Sequence, residues 1–366
     1  MKLYDWKLDE ISIDCDTSAR LVSYQGQIFR DLFYKINLDC DICFLDPGLK
    51  DVCFNDNDII TTATNINNSN INMIVYLMCD HNWMSPTHCN LDASTHKLLS
   101  LITKPTIHIV WDYFSELTSQ QIRYPIWTTM CAKRQIHQTN LSLPRKYLYS
   151  CLSNIVKPFR IINLLEFQKS AYYNKSLITF NAPTGALYNE LSSYGMQYVT
   201  QFEDIIPLLP INTASSITDI ALVSVVNNEV IYDYSGSAYQ NTYVNIILET
   251  GYTDKFFSEK TFKPILANQF FVIIAGKGAV AVLRELGFDT YDDIIDHRRY
   301  DNSPDNTRIQ DVHTLLHDMQ HYNWEQIYKD TVERREKNRQ LLLNLTFEKN
   351  FITELTHIIE TIVKPT

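Results

Sequence analysis

Between Val244 and Tyr300 the chain alternates apolar runs and turns in an order that few architectures accept. An apolar run from Tyr243 to Leu248 leads into Glu249-Thr250 and a turn at Gly251-Tyr-Thr-Asp254. Next come Phe256-Phe257-Ser258-Glu259-Lys260-Thr261-Phe262-Lys263-Pro264-Ile265 and a second apolar run, Gln269 to Gly276. Ala279 to Leu286 then has helical spacing and stops at Gly287-Phe288. The pattern predicts strand, loop, short helix, strand, glycine turn and helix, which is the grammar of a parallel α/β unit.

Ser258 is a good N-cap for the short helix. Free N–H groups in the first turn of such a helix attract anions. Lys260 and Lys263 stand three residues apart and share a helix face, so both ammonium groups are expected to reach that anion. Glu249 and Glu259 flank the same place. Acids, paired lysines and a helix start beside a strand end fit a phosphate-bearing ligand with sugar hydroxyls; an ordinary charged surface helix fits the spacing as well.

The rest of the chain extends this alternation. Asp41 to Leu45, Ile71 to Met78 and Thr106 to Trp111 read as strands, Ser94 to Ile102 as a helix, and the Asn-rich stretch Asn55 to Asn70 as a loop. In an open parallel sheet ligands lie beyond the carboxyl ends of the strands. Asp80, His81 and Asp112 are therefore the polar groups placed to face a cleft, although strand-end residues of these types also cap helices and tie down loops. Lys146 to Leu152 reads as a strand that enters a second domain; Ser153-Asn154, Lys157-Pro158 and Arg160 follow, and a helix covers Ile161 to Phe167. Strands are expected at Asn174 to Phe180 and Ala221 to Val226, and long helical periodicity from Trp324 to Val363.

These motifs resemble those of a known family. Glu249 and the Glu259-Lys260 pair resemble the C-terminal motif of α-1,3-fucosyltransferases, in which Phe-Glu-Asn-Ser precedes Tyr-x-Thr-Glu-Lys at this separation. The form Glu-Lys-Thr-x-Lys-Pro-Ile, followed by an apolar strand and Leu-Gly-Phe, resembles related glycosyltransferase-like proteins of bacteria and viruses. The Trp-Asp-Tyr segment at Asp112 resembles an element of the same relatives. The resemblance implies a GT-B fold: α/β, two Rossmann-like domains facing a cleft, with C-terminal helices packing back across them. The domains would be residues 1–145 on the acceptor side, 146–320 for the nucleotide-sugar donor, and 321–366 as helices returning to the first.

It also implies an inverting glycosyltransferase with no bound metal and no cofactor beyond its donor. By this resemblance Arg160, at the start of a helix after Ser-Asn, contacts the donor diphosphate together with Lys260; a guanidinium grips phosphate oxygens bidentately. Asn154, Thr250, Phe256 and Lys263 join the donor site, Glu259 takes the ribose hydroxyls and Glu249 orients the transferred sugar. Asp80, His81 or Asp112 would deprotonate the acceptor. Thr250 stands where the family has Asn and Phe256 where it has Tyr, which leaves the sugar and nucleotide open.

Composition narrows the partners. The chain has 366 residues, 45% of them hydrophobic and 20% charged, enough for one large core or two. A net charge of -10 disfavours nonspecific wrapping of nucleic acid, although a modified nucleobase in DNA stays open as an alternative acceptor to a carbohydrate or other hydroxyl. A noncatalytic nucleotide-sugar-binding protein is a further alternative. No run of about 18 apolar residues occurs and the first residues lack a secretory core, so a protein of the cytoplasm (a host's, if viral) is expected.

Of the eight cysteines only Cys40-x-x-Cys43 has ligand-like spacing, and no second pair follows it. Asp14-x-Asp16, Asp39-x-Asp41 and Asp56-x-Asp58 lack the preceding strand that a metal-binding acidic pair needs. Gly276-Lys-Gly278 lacks the third glycine of a dinucleotide loop and reads as a tight turn.

Overall fold

The computed structural model describes residues 3–5, 42–45, 56–68, 73–78, 97–110, 121–123, 143–153, 157–180, 191–192, 196–212, 223–226, 229–232, 237–252, 257–344 and 347–363. The chain forms two compact units, Met1–Ile126 with Thr346–Thr366 and Trp127–Leu345.

The first unit carries β1 (Leu3–Asp5), β2 (Ile42–Leu45), α1 (Asp56–Asn68), β3 (Met73–Met78), β4 (Thr106–Val110) and β5 (Gln121–Arg123). Its sheet runs in chain order from β1 to β5, and every pair is parallel. Met73-Ile-Val-Tyr-Leu-Met78 is a continuous apolar run, the pattern of a strand covered on both faces. Ile107, Ile109 and Ile122 are fully buried.

The Asn-rich stretch expected to be a loop is the helix α1. Composition hid a helical stripe: Ala63 and Ile66 are buried three residues apart, and Ala63 packs with Leu98 and Ile102. At the helix end Asn67 donates from Nδ2 to the Leu101 carbonyl (2.9 Å) and accepts from the Thr103 amide (2.8 Å). Its amide thus ties down the turn beyond residue 101. Asp56 and Asp58 occupy the first turn of α1.

The second unit opens with β6 (Tyr147–Ser153), α2 (Pro158–Lys169), β7 (Ser176–Phe180), α3 (Met196–Ile205) and β8 (Ile211–Asn212). The hairpin of β9 (Val223–Val226) and β10 (Glu229–Tyr232) forms a sheet of its own. Then come α4 (Ser237–Gln240), β11 (Thr242–Leu248), α5 (Glu259–Leu266), β12 (Phe270–Ile274) and α6 (Ala279–Glu285). The main sheet has the order β12-β11-β6-β7-β8 and is parallel except for β8. All seven residues of β11 and all five of β12 are buried, as a central parallel strand requires.

The turn from β12 into α6 is held by two devices. Gly278 adopts φ 80°, a left-handed conformation that side chains disfavour. Asp301 accepts from the Gly278 amide through its carbonyl (2.8 Å) and from the Val280 amide through its carboxylate (2.9 Å).

Three helices follow in this unit: α7 (Arg308–Met319), α8 (Trp324–Asp330) and α9 (Val332–Leu343). The last helix, α10 (Phe347–Val363), belongs to the first unit, where it meets β5. The sequence reading grouped residues 321–366 together and ended the first domain at 145. In the structure the units part at Ile126, and the C-terminal helices are divided between them.

The side chains explain the division. Arg334 on α9 pairs with Asp289 (2.6 Å) and Asp293 (2.8 Å), and Asn338 donates to the Asp289 carbonyl (2.7 Å) and the Tyr291 hydroxyl (3.0 Å). Tyr328 on α8 donates to the Asn268 carbonyl (2.9 Å). On α10, Leu355 and Ile359 are both buried, four residues apart.

Candidate functional site

Strand order locates the site. From β6 the chain moves outward to β7 and β8, then returns to lay β11 on the other side of β6. The carboxyl ends of β6 and β11 therefore flank the one reversal among the described strands of this sheet, and an open α/β sheet takes its ligand at such a point. Two helices start there, α2 after β6 and α5 after β11.

The start of α5 is closed by its own chain. Ser258 is the N-cap, extended at φ -91° and ψ -176°, and its Oγ accepts from the Lys260 amide (3.3 Å). Glu249 is fully buried at the end of β11. Its Oε1 accepts from the Ser258 amide (3.1 Å) and the Thr261 hydroxyl (2.6 Å). Its Oε2 accepts from the Ser258 hydroxyl (2.6 Å) and the Thr250 amide (3.2 Å). These bonds use the acceptor capacity of the carboxylate and lock the helix start onto the strand end. Orienting a sugar, the role implied by the resemblance, would need an oxygen that these bonds already occupy.

Cations gather around the same strand end from both helices. Lys157 Nζ donates to the Thr250 carbonyl (2.6 Å). Arg160, one turn into α2 and 3% exposed, donates through Nη2 to the carbonyls of Leu248 (3.1 Å) and Glu249 (3.0 Å). Lys260 Nζ donates to Thr250 Oγ1 (3.4 Å), Ser258 Oγ (3.2 Å) and Glu259 Oε1 (3.2 Å). Thr250 is thus a hub: its amide, carbonyl and hydroxyl engage Glu249, Lys157 and Lys260 in turn.

The cations differ in what they can reach. The Lys260 side chain keeps 32% exposure and holds three long contacts that a ligand oxygen can replace. Arg160 is sunk among backbone carbonyls, and burial lowers its pKa against the raising influence of Glu249. Lys263 is buried as well, one turn deeper than Lys260, so the two lysines of α5 differ in exposure although they share a face. Burial alone would raise the Glu259 carboxyl; the ammonium groups of Lys260 and Lys263 outweigh it and hold the acid below its usual range.

The structure therefore brings Arg160, Glu249, Thr250, Glu259, Lys260 and Lys263 to one end of one sheet. It adds Lys157, which sequence reasoning passed over, and the second-layer hydroxyls of Ser258 and Thr261. The signal for Lys157 was there: Lys-Pro at a helix start puts the lysine in the cap position. Asp80, His81, Asp112, Asn154 and Phe256 lie outside the described residues. Among the described residues no three His, Cys, Asp or Glu side chains come together as a metal site, and no helix is long and apolar enough to cross a membrane.

No protein-family model matches the chain, and no curated protein matches it. Among solved structures it is similar to "T4 phage BGT in complex with UDP and Mn2+", with 11% identity over 88% of this chain and 84% of that one. The TM-score is 0.37, below the level at which a shared fold follows.

Proposed function

We propose that the chain is a glycosyltransferase of GT-B type that binds a nucleoside-diphosphate sugar at the β6/β11 reversal and passes the sugar to an acceptor hydroxyl. One observation carries this reading: Lys157, Arg160 and Lys260 converge on residues 248–250 where the strand order reverses. A diphosphate is the ligand whose charge matches such a cluster, and oriented cations stabilise it most as it leaves.

In this reading the acceptor oxygen attacks the anomeric carbon from the face opposite the diphosphate. The carbon–oxygen bond to phosphate breaks, and the bonding pair departs with the nucleoside diphosphate. The acceptor proton goes to a base, for which Asp80, His81 and Asp112 are the candidates. Inversion follows from the single displacement. Lys260 takes up the developing negative charge, in place of a metal. Arg160 acts by holding β11 and α2 in register, and Glu249 by holding α5. Glu259, ionised at neutral pH, accepts from ribose hydroxyls. A carbohydrate or similar hydroxyl compound is the preferred acceptor, given the charge of -10.

The test uses the purified chain with GDP-, UDP- and ADP-sugars, and a CMP-sugar as the monophosphate control. At least one diphosphate sugar should raise the melting temperature and be consumed, slowly by hydrolysis without acceptor and faster with one. Lys260→Ala should lower turnover by about 10²- to 10³-fold, the usual loss when one donor to a developing oxyanion is removed, without lowering the melting temperature. Binding without any turnover would leave a nucleotide-sugar-binding protein. If no nucleotide sugar binds, the reading is wrong.

A further inference from the structure

Helix α7 carries two metal-ligating side chains that the candidate site does not use. Its amino end lies with the carboxyl ends of the strands. There Arg308 donates to the carbonyls of Ala275 (2.8 Å) and Tyr252 (3.0 Å), beyond β12 and β11. The helix then runs back along the sheet, and Tyr149, in the first half of β6, donates to the Leu316 carbonyl (2.7 Å). Its twelve residues cover about 18 Å. The last turn of α7 is therefore near the amino end of the sheet, away from the strand reversal.

His317 and His321 stand at that turn, four residues apart, a spacing that brings helical side chains to one side. The His321 amide closes the turn on the Asp318 carbonyl (3.3 Å). The two ring centroids are 6.0 Å apart, with the planes at 79°. A cation shared by two imidazoles sits about 2 Å from each ligating nitrogen, which puts the ring centres roughly 5 to 6.5 Å apart. Both residues are exposed, the His317 side chain by 64%. They differ in this from the buried His297 and His313, whose ring nitrogens are all engaged by the fold.

The neighbouring carboxylate is a second observation at the same place. Arg299 Nη1 donates to Asp318 Oδ2 (2.7 Å), and Asp318 Oδ1 then lies 3.6 Å from His317 Nδ1. A carboxylate beside one ring nitrogen draws the proton there and leaves Nε2 as the ligand atom. Metal-bound imidazoles characteristically have such an outer partner.

We propose that His317 and His321 form a surface site for a divalent transition cation of the Zn2+ or Ni2+ class. The two imidazoles are the protein ligands, Asp318 is a positioning residue, and water fills the remaining positions. Imidazole nitrogen suits these ions, whereas Mg2+ and Ca2+ take oxygen ligands. The bound ion joins α7 to the turn that leads into α8, where Trp324 packs against Tyr243 (6.4 Å between ring centroids). This site is independent of the proposed donor site and stands whether or not nucleotide sugars bind.

Calorimetric titration with NiCl2 tests it, on the intact chain and on His317→Ala, His321→Ala, Asp318→Asn and His357→Ala. The last removes an exposed histidine of α10 and serves as the control. The intact chain should bind one equivalent of Ni2+ more than either His317→Ala or His321→Ala, and His357→Ala should match the intact chain. Subtraction in this way sets aside any Ni2+ held by thiols elsewhere. Asp318→Asn should bind that equivalent about 10-fold more weakly, with its metal-free melting temperature little changed. Ni2+ should raise the melting temperature of the intact chain further than that of either variant lacking an imidazole of the pair. Excess MgCl2 should not displace it. The proposal is overturned if removing either imidazole leaves the number of bound ions unchanged, if His357→Ala loses as much as they do, or if Mg2+ competes.

Discussion

Among the described residues the two larger sheets have five strands each; pairing is parallel in both except at β8, and the difference that matters is strand order. In the first unit the spatial order follows the chain from β1 to β5; in the second it turns back between β6 and β11. Crossovers that all step the same way lay successive connections side by side. A reversal sends neighbouring connections to opposite faces and opens a gap at the carboxyl ends of the two central strands. Every described cation of the candidate site stands at that gap. Strand chemistry is much the same in both sheets, so connection order, not composition, marks the sheet end at which these cations gather.

The largest expected effect that tests this contrast is acid. Burial pushes His297 down from its ordinary 6.5 to about 4 and His313 to about 3, and both lie in the second unit. His297 Nε2–H donates to the Thr290 carbonyl (2.8 Å) while Nδ1 accepts from Tyr300 (2.6 Å). His313 Nδ1 accepts from Tyr172 (2.7 Å) and Nε2–H donates to Asn163 (3.1 Å). Both rings are bound in the neutral form. With folded values below unfolded ones, their stabilisation is complete above pH 6.5 and is lost as the pH falls toward 4, by roughly 3 kcal/mol each at most. Hydrogen exchange followed from pH 7 to 4 should show α7 and the 290–301 turns opening early, and His313→Gln should flatten that loss. Earlier opening of β3 and β4 would break the contrast.

Arg160→Ala comes next, because Arg160 ties α2 to the end of β11 through two buried carbonyls. Removing it leaves the Leu248 and Glu249 carbonyls short of a donor inside the core, at about 3 kcal/mol. Urea unfolding measures this, and transfer should fall with it. Arg160→Lys should recover some stability and little transfer, since an ammonium cannot span both carbonyls in the same way. Full stability in Arg160→Ala would remove the tie. The smallest of the three effects is Glu249→Gln, which replaces two acceptor positions with donors amid four donors. It should cost about 2 kcal/mol, with loss of exchange protection confined to α5. Protection lost evenly over the sheet would assign Glu249 a wider role.

Much of the fold could be read in advance because apolar runs and caps are local. The strand before Glu249, the cap at Ser258, the second strand and the glycine turn lie within a residue or two of where the spacing puts them. Helix α1 could not be read that way: its buried stripe includes Ala63 and Ile66 within an Asn-rich stretch. Of the residues the motifs singled out, Arg160, Glu249, Thr250, Glu259, Lys260 and Lys263 come to one end of one sheet, while their exposure was not legible. That Arg160 and Lys260 reach the same strand end depends on β6 lying beside β11, a pairing between residues about a hundred positions apart that no local pattern encodes. Whether a charged side chain faces solvent or carbonyl is decided by burial: Glu249 and Arg160 are buried against backbone and hydroxyl groups, and the Lys157 contact with the Thr250 carbonyl came to light only in the structure.

Placing α10 with the first unit has a consequence for how the chain is made. Residues 127–345 leave the ribosome as a continuous stretch with all their own strands, and can close while synthesis continues. The unit begun first must wait for the final helix before the side of β5 that α10 meets is covered, so its completion falls after that of its younger neighbour. A chain cut short near residue 345 would keep the proposed donor site and lose the lid of the other core. Loss of protection in β5, with the second unit intact, is the mark such a truncation would leave.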